Sequence, residues 1–440
     1  SAALTVLAVA MLAAMTVSWR VDAVATAAPP SQIYQLQVVD ESGAPVSGAT
    51  LTSVSGQKTT NAGGVAIFEL QAPELVVVEA AGSISDAIVI GTPERPQATL
   101  QLLAAGGPGG ERTVMHFGGD FMMGRRYVEP TRLGTPVVND EDSARAVVAD
   151  IAPLFSLADL VSVNFESVLG TLPSDESYPG KQYVIQSAPE TLAALDELGV
   201  NLVSLGNNHT NDWRDPGIAA TIRHLGDADI AHPGAGVTAS DAFQPALITV
   251  GTVKVGVVSM TTLSGDNDNH RLPGATVPIP ASTAPEHAWQ YETRRFGFGE
   301  PGDSDYIESA DRRPAAIWRL FDQLEPGLIE AVAAELWNQI SQVFPELQDW
   351  VARRGHGGAA LYSAAAVEKS IATARSAGAD LVVVQLHGGQ PYAELASAYF
   401  KRAARSAVDA GADLVLGHHP HVVQGFEFYK DVLIAYSLGN

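Results

Sequence analysis

The sequence predicts two folded parts in series: a small all-β sandwich, then an α/β domain built around a buried sheet. Three observations lead there. Between Ile33 and Leu103, short segments rich in β-branched residues alternate with turn residues. From Thr113 onward one phrase recurs in which a helix-like stretch ends in Gly and an apolar run of strand length follows. Each of those apolar runs then ends in polar residues.

Ahead of both parts lies "AALTVLAVAMLAAMTVSW", an uncharged apolar run close to the length of a membrane span. Small-x-small triplets follow in "DAVATAAPP", which allow cleavage after Ala25 or Ala27. Residues 1–28 therefore read as a signal peptide or a membrane anchor. Either places the chain outside the cytoplasm of a bacterium, anchored or secreted. The sandwich is expected over residues 33–104. Its strands are "IYQLQVVD", "ATLTSVS", "VAIFEL", "LVVVEA", "DAIVI" and "ATLQLL", separated by "ESGAP", "TNAGG" and "TPERP". "AAGGPGGER" reads as a flexible Gly-rich linker, residues 105–112.

Composition narrows the chemistry. The net charge of −23 leaves no basic stripe to neutralise phosphates, so nucleic acid is excluded as the main partner. With no cysteine there is no disulfide, thiolate nucleophile or thiolate metal ligand. Any metal must be held by His, Asp, Glu, Asn or backbone oxygen.

The α/β domain occupies residues 113–440. "TVMHFGGD" opens it, and the recurring phrase follows as "SLADLVSVNFES", "ELGVNLVSLGNNHT", "SAGADLVVVQLHGG" and "DAGADLVLGHHPH". The strands end in Asp120; Asn164 and Glu166; Asn207, Asn208 and His209; His387; and His418, His419 and His421. Ligands of open α/β sheets sit at the carboxyl ends of strands, so distant segments are expected to deliver these tips to one edge. Residues 264–358 do not fit the repeat. They read as a helical insertion whose Trp and Phe at helical spacing form a core.

One Asp, one Glu, one Asn and several His make a ligand set suited to divalent Mn, Fe or Zn, one or two ions, rather than Mg or Ca. His419-Pro420-His421 has the spacing that turns two rings toward one locus as the chain leaves a strand, and the proline stiffens that turn. In "GNNHTND", Asn208 can offer a carbonyl oxygen to a metal, His209 can give a proton to a leaving oxygen, and Asp212 can orient the ring. Asn and Asp here could equally cap the helix through "PGIAATIRHLG". Arg125 and Asn207 are the candidates for contact with an anionic substrate. His116, His224, His232, His270, His287 and His356 have no ligand partners near them in sequence.

Taken together, "GGDFMMGR", "VNFES", "LGNNHTND", "LHGG", "GHHPHVVQG" and "IAYSLGN" resemble the CapA-like family of poly-γ-glutamate capsule synthesis proteins, within the calcineurin-like metallophosphoesterase superfamily. The resemblance covers Thr113 to Asn440 outside the insertion. It implies a layered α/β/β/α sandwich with a two-metal site at the strand ends. It makes Asp120 and His421 first-metal ligands, Glu166 the bridging carboxylate, and Asn208, His387 and His419 second-metal ligands. His209 becomes the proton donor and Asp212 its orienter. The implied activity is metal-dependent phosphoester hydrolysis in polymer biosynthesis. The implied partners are an anionic polymer or phosphoester substrate and membrane-bound polymer synthase components. The alternative is a non-hydrolytic, metal-dependent part of anionic polymer synthesis or export. Two departures are visible. The usual Asp-x-His start is replaced by Asp120-Phe121-Met122, and the bridging group is Glu rather than Asp. The family also continues past "SLGN", so a fragment truncated at its C-terminus is expected. The sandwich resembles carboxypeptidase-regulatory-like or prealbumin-like modules, and a surface adhesion protein built on it would leave "GNNH" and "HPH" without a role.

Overall fold

A computed structural model describes residues 31–92, 95–107, 110–129, 136–177, 183–263, 332, 351–352 and 357–440. The segment read as a signal peptide or anchor, and nearly all of the helical insertion, lie outside these residues. The chain divides into two compact units between Ala105 and Gly106.

The first unit is a sandwich of two sheets. One has the strand order Val65–Leu70, Gln32–Val39, Gln97–Gln101, and the other Gly56–Thr59, Thr50–Ser53, Glu74–Glu79, Asp86–Ile90. Alternate residues point inward: Leu36, Val38, Leu51, Phe68, Val76 and Val78 are completely buried in one core. The strand Gly56–Thr59 was not foreseen. Its sequence, GQKT, is exposed at every position because it is an edge strand with no buried face, so it carries no apolar signal.

At the start of the second unit, within the segment read as a linker, Gly106–Gly107 pairs antiparallel with Gly110–Glu111. Gly110 takes φ 117°, a conformation that favours glycine.

Two sheets follow. A parallel three-stranded sheet runs Met115–Phe121, Leu160–Phe165, Leu202–Ser204. A six-stranded mixed sheet runs Ala246–Val250, Val253–Thr261, Leu381–His387, Leu414–His418, Val432–Ala435, Phe426–Tyr429. Leu160 and Leu202 of the first share a core with Val255, Val257, Val383 and Leu416 of the second, so the sheets pack face to face. The far face of the small sheet is covered by helices Glu141–Val148, Thr191–Glu197 and Arg214–Asp227. The far face of the large sheet is covered by Ala364–Ser376 and Ala398–Asp409. This is the α/β/β/α layering that the sequence resemblance implies.

The recurring phrase now has a physical meaning. Gly199, Gly378 and Gly411 close the helices before three strands, with φ of 66°, 89° and 102°, conformations that favour glycine. The polar residue at each strand entry then clamps its neighbour. Asp159 Oδ2 accepts the Val114 N–H (2.8 Å), Asn201 Oδ1 that of Val161 (3.1 Å), Asp380 Oδ2 that of Lys254 (2.8 Å), and Asp413 Oδ2 that of Val382 (2.7 Å). In each case the partner begins the adjacent parallel strand. Asp159→Ala should lower stability by about 0.5–1.5 kcal/mol, and Asp159→Asn, which keeps an acceptor, by clearly less. Chemical denaturation would measure this, and equal losses for both variants would show that the carbonyl-type acceptor is irrelevant.

Candidate metal centre

The space between the two sheets changes character along the strands. Successive inward positions run Leu160, Ser162, Asn164 on one sheet, and Val383, Gln385, His387 or Leu414, Leu416, His418 on the other. All of the polar members are buried. Register places Asp120 beside Asn164 and His387 beside His418. The apolar core therefore gives way to a polar cluster at the carboxyl ends of the strands.

Glu166 lies at its centre, 2% exposed. Its backbone N–H donates to Phe121 O (2.9 Å), which fixes the turn after its strand. Four imidazoles approach its carboxylate: His387 Nε2 at 3.4 Å, His209 Nε2 and His419 Nδ1 at 3.9 Å each, and His421 Nδ1 at 3.8 Å. Burial alone would raise this carboxyl, but His387, His419 and His209 more than offset it and hold Glu166 well below the usual carboxylate range. Asn208 Oδ1 is 2.8 Å from His387 Nε2. Burial, opposed by Glu166, pushes His387 down to about 4, so its ring is neutral, the form that ligates metals.

Asp120 forms the other side of the cluster. Its Oδ1 accepts from Asn164 Nδ2 (2.7 Å) and its Oδ2 from the His419 N–H (3.0 Å). His421 Nδ1 stands 3.2 Å from Asp120 Oδ2 and 2.9 Å from Asn440 Oδ1. Burial would lower His421, but Asp120, Glu166 and Asn440 outweigh it and raise the ring to about 9. The chain around these rings is strained: His419 and His421 have φ of 97° and 57°, on either side of Pro420. Non-glycine residues held there cost about 1–3 kcal/mol each and collect at functional sites.

The donors fit a metal ion. Glu166, His419 and His421 each offer an atom within 4.8 Å of the others. Glu166 Oε1, His418 Nδ1 and both ring nitrogens of His419 are buried without a hydrogen bond. Unsatisfied polar atoms at one locus are costly, and a cation would meet the lone pairs among them. Mixed carboxylate and imidazole donors suit Mn, Fe or Zn.

His209 sits at the edge of the cluster. Its Nδ1 is 2.7 Å from Asp212 Oδ2, and the same oxygen accepts the Ile185 N–H (2.6 Å). Asp212 is fully buried. This fixes the Nδ1–H tautomer and turns Nε2 toward Glu166.

Of the residues singled out from sequence, the fold brings together Asp120, Glu166, Asn208, His209, Asp212, His387, His419 and His421. Asn207 is a correction. It is fully buried, its Nδ2 donates to Phe165 O (2.9 Å), and its Oδ1 accepts from the His209 N–H (2.9 Å) and Thr210 Oγ1 (3.3 Å). Both ends of its amide hold the loop together, so it does not face a substrate. Arg125 is exposed, with its guanidinium 4.9 Å above the Tyr183 ring. Among the described residues none of the contacts to Glu166 given above involves it. The sequence analysis placed Asn164 and His418 among the strand-end residues but gave them no role at the site, and it did not single out Asn440. Asn164 and His418 carried a signal, since each is an inward position at a strand end, while only the folded chain brings Asn440 to His421.

The profile "Bacterial capsule synthesis protein PGA_cap" matches residues 114–440. The capsule biosynthesis protein CapA of Bacillus anthracis is 26% identical over 333 residues, 75% of this chain and 59% of that protein. The PGA biosynthesis protein CapA of Bacillus subtilis (strain 168) is 25% identical over 324 residues, 74% of this chain and 61% of that protein. The chain thus spans about three-fifths of the length of these relatives. Among solved structures, the calcineurin-like phosphoesterase YfkN from Bacillus subtilis aligns over 71% of this chain and 74% of its own, at 12% identity and a TM-score of 0.33.

Protein purified without chelator should carry bound transition metal by elemental analysis, and the His419→Ala/His421→Ala double variant should lose it. Equal metal content in the two proteins would remove these rings from the site.

Proposed function

Because the chain belongs to the bacterial capsule synthesis protein family, we propose that it serves the biosynthesis of an anionic polymer of the poly-γ-glutamate kind, as a metal-dependent phosphoester hydrolase. The observation that carries the hydrolytic part is the His209–Asp212 pair. A protein that only bound carboxylates at a metal would have no use for an imidazole whose proton position is fixed on one side and whose free nitrogen faces the ion-binding carboxylate. A divalent ion held by Asp120, Glu166, Asn208, His387, His419 and His421 would supply Lewis-acid polarisation of a phosphoryl oxygen and a more acidic water.

The remaining work falls to the protein. Asp212, buried and pinned by the Ile185 N–H, accepts the Nδ1 proton of His209 and holds the ring with Nε2 toward the ion site. His209 Nε2 is the atom from which a proton would pass to the leaving oxygen. The backbone of His209 is fixed by Asn207 Oδ1, so the ring needs little reorganisation before proton transfer. Arg125, exposed beside Tyr183, is the side chain assigned to an anionic portion of the substrate.

The apolar run at residues 2–19 supports placement outside the cytoplasm, anchored or secreted, where membrane-bound polymer synthase components would be its neighbours.

Removal of a general acid typically costs about 10²–10⁴-fold in rate. His209→Ala should keep fold and metal, hydrolyse an ester with a poor leaving group at least a hundredfold more slowly (roughly the lower end of that range), and lose less on an activated ester. Wild-type protein without turnover on any ester with Mn, Zn or Fe, together with loss of polymer in a host carrying His209→Ala, would favour the non-hydrolytic reading. A variant equal to wild type in every assay would reduce His209 to a structural role.

A further inference from the structure

We propose that His418 is a ligand of the ion bound at Asp120, through Nδ1. The proposal rests on the metal centre described above but not on hydrolysis.

His418 is 1% exposed at the end of the strand Leu414–His418, at the same level as His387. Its Nε2 lies 3.0 Å from Gln385 Oε1. The other end of the Gln385 amide, Nε2, donates to Ser162 Oγ at 2.9 Å. In this orientation the amide presents its carbonyl oxygen to the ring, which puts the imidazole proton on Nε2. Nδ1 is left as a bare lone pair. That atom is buried without a hydrogen bond and faces Asp120 Oδ1 at 3.8 Å.

Two acceptors now confront each other. A neutral imidazole nitrogen and a carboxylate oxygen cannot bond directly, and burying both without a donor is unfavourable. A cation resolves the conflict. Metal–nitrogen and metal–oxygen bonds of about 2.0–2.2 Å each can span that separation. The Ser162–Gln385–His418 chain has the form of the outer-shell support that fixes tautomer and orientation in metal-ligating histidines. It also accounts for the departure at Phe121-Met122. The position two residues after Asp120 offers no imidazole, and His418 supplies one to the same carboxylate from a strand of the opposite sheet.

The test uses the full chain, stripped of metal and titrated with Mn(II) or Zn(II) alone. His418→Phe, which removes both nitrogens but fills the space, should weaken ion binding by calorimetry at least tenfold. Gln385→Leu, which keeps the ring but frees its tautomer, should weaken it measurably but less than His418→Phe does. In Zn(II)-loaded wild-type protein with 15N-labelled histidine, the coordinated rings should include His418 alongside His387, His419 and His421. That spectrum decides the matter even if His418→Phe does not fold. Unchanged affinity in a folded His418→Phe variant, or a spectrum in which the His418 Nδ1 signal does not move on adding Zn(II), would overturn the proposal. Neither measurement depends on turnover, so a protein that hydrolyses no ester can still pass or fail it.

Discussion

Everything in the α/β unit depends on the side chains that lock parallel strands at their entry points. Asp159, Asn201, Asp380 and Asp413 each accept a backbone N–H within one residue of the start of the neighbouring strand. Side chains alternate along a strand with a period of two, so slipping a strand by one residue would send its inward set to the opposite face. Such a slip would turn Asn164, Gln385 or His387 toward the helices. The clamps lie at the amino ends and the polar cluster at the carboxyl ends, several residues away. A short, partly exposed hydrogen bond at one end thus determines which atoms meet at the other.

What meets there is expensive. Glu166 is almost completely enclosed, and an isolated buried carboxylate would simply take up a proton. Four imidazoles stand within 4 Å of it, and the contacts of His387, His419 and His209 hold it ionised against the cost of burial. The enclosing strands are apolar on their lower inward positions, which leaves water little share in solvating these charges. Strain at His419 and His421 adds to the cost. Stability gained in the two flanking cores supports a local arrangement that would not persist by itself.

Much of this was legible in the sequence because period and punctuation are local. The helix–Gly–strand phrase located the strands, and the polar residues at their ends located most of the cluster. Asn207 misled because adjacent residues in "GNNH" look alike in sequence while pointing to opposite fates: Asn207 inward to the loop backbone, Asn208 to His387. His418 looked like a third member of a histidine run. Its distinct role depends on Gln385 and Ser162, which stand 33 and 223 positions from their hydrogen-bond partners His418 and Gln385. Asn164 was visible as a strand tip, but its bond to Asp120 requires the pairing of two strands. The edge strand Gly56–Thr59 buries nothing and so left no pattern to read.

The close approach of the final turn to Asp120 sets an order of assembly. Asp120 donates its N–H to Gly439 O, and a side chain on Gly119 would collide with that same carbonyl at 2.1 Å. Asp120 and His419, which bond each other, are separated by 299 positions. A nascent chain therefore lacks part of the donor set until His421 has been synthesised. An ion can meet all of its ligands only after the strands Met115–Phe121 and Leu414–His418 have come together, so metal loading is tied to completion of the tertiary fold rather than to any single segment.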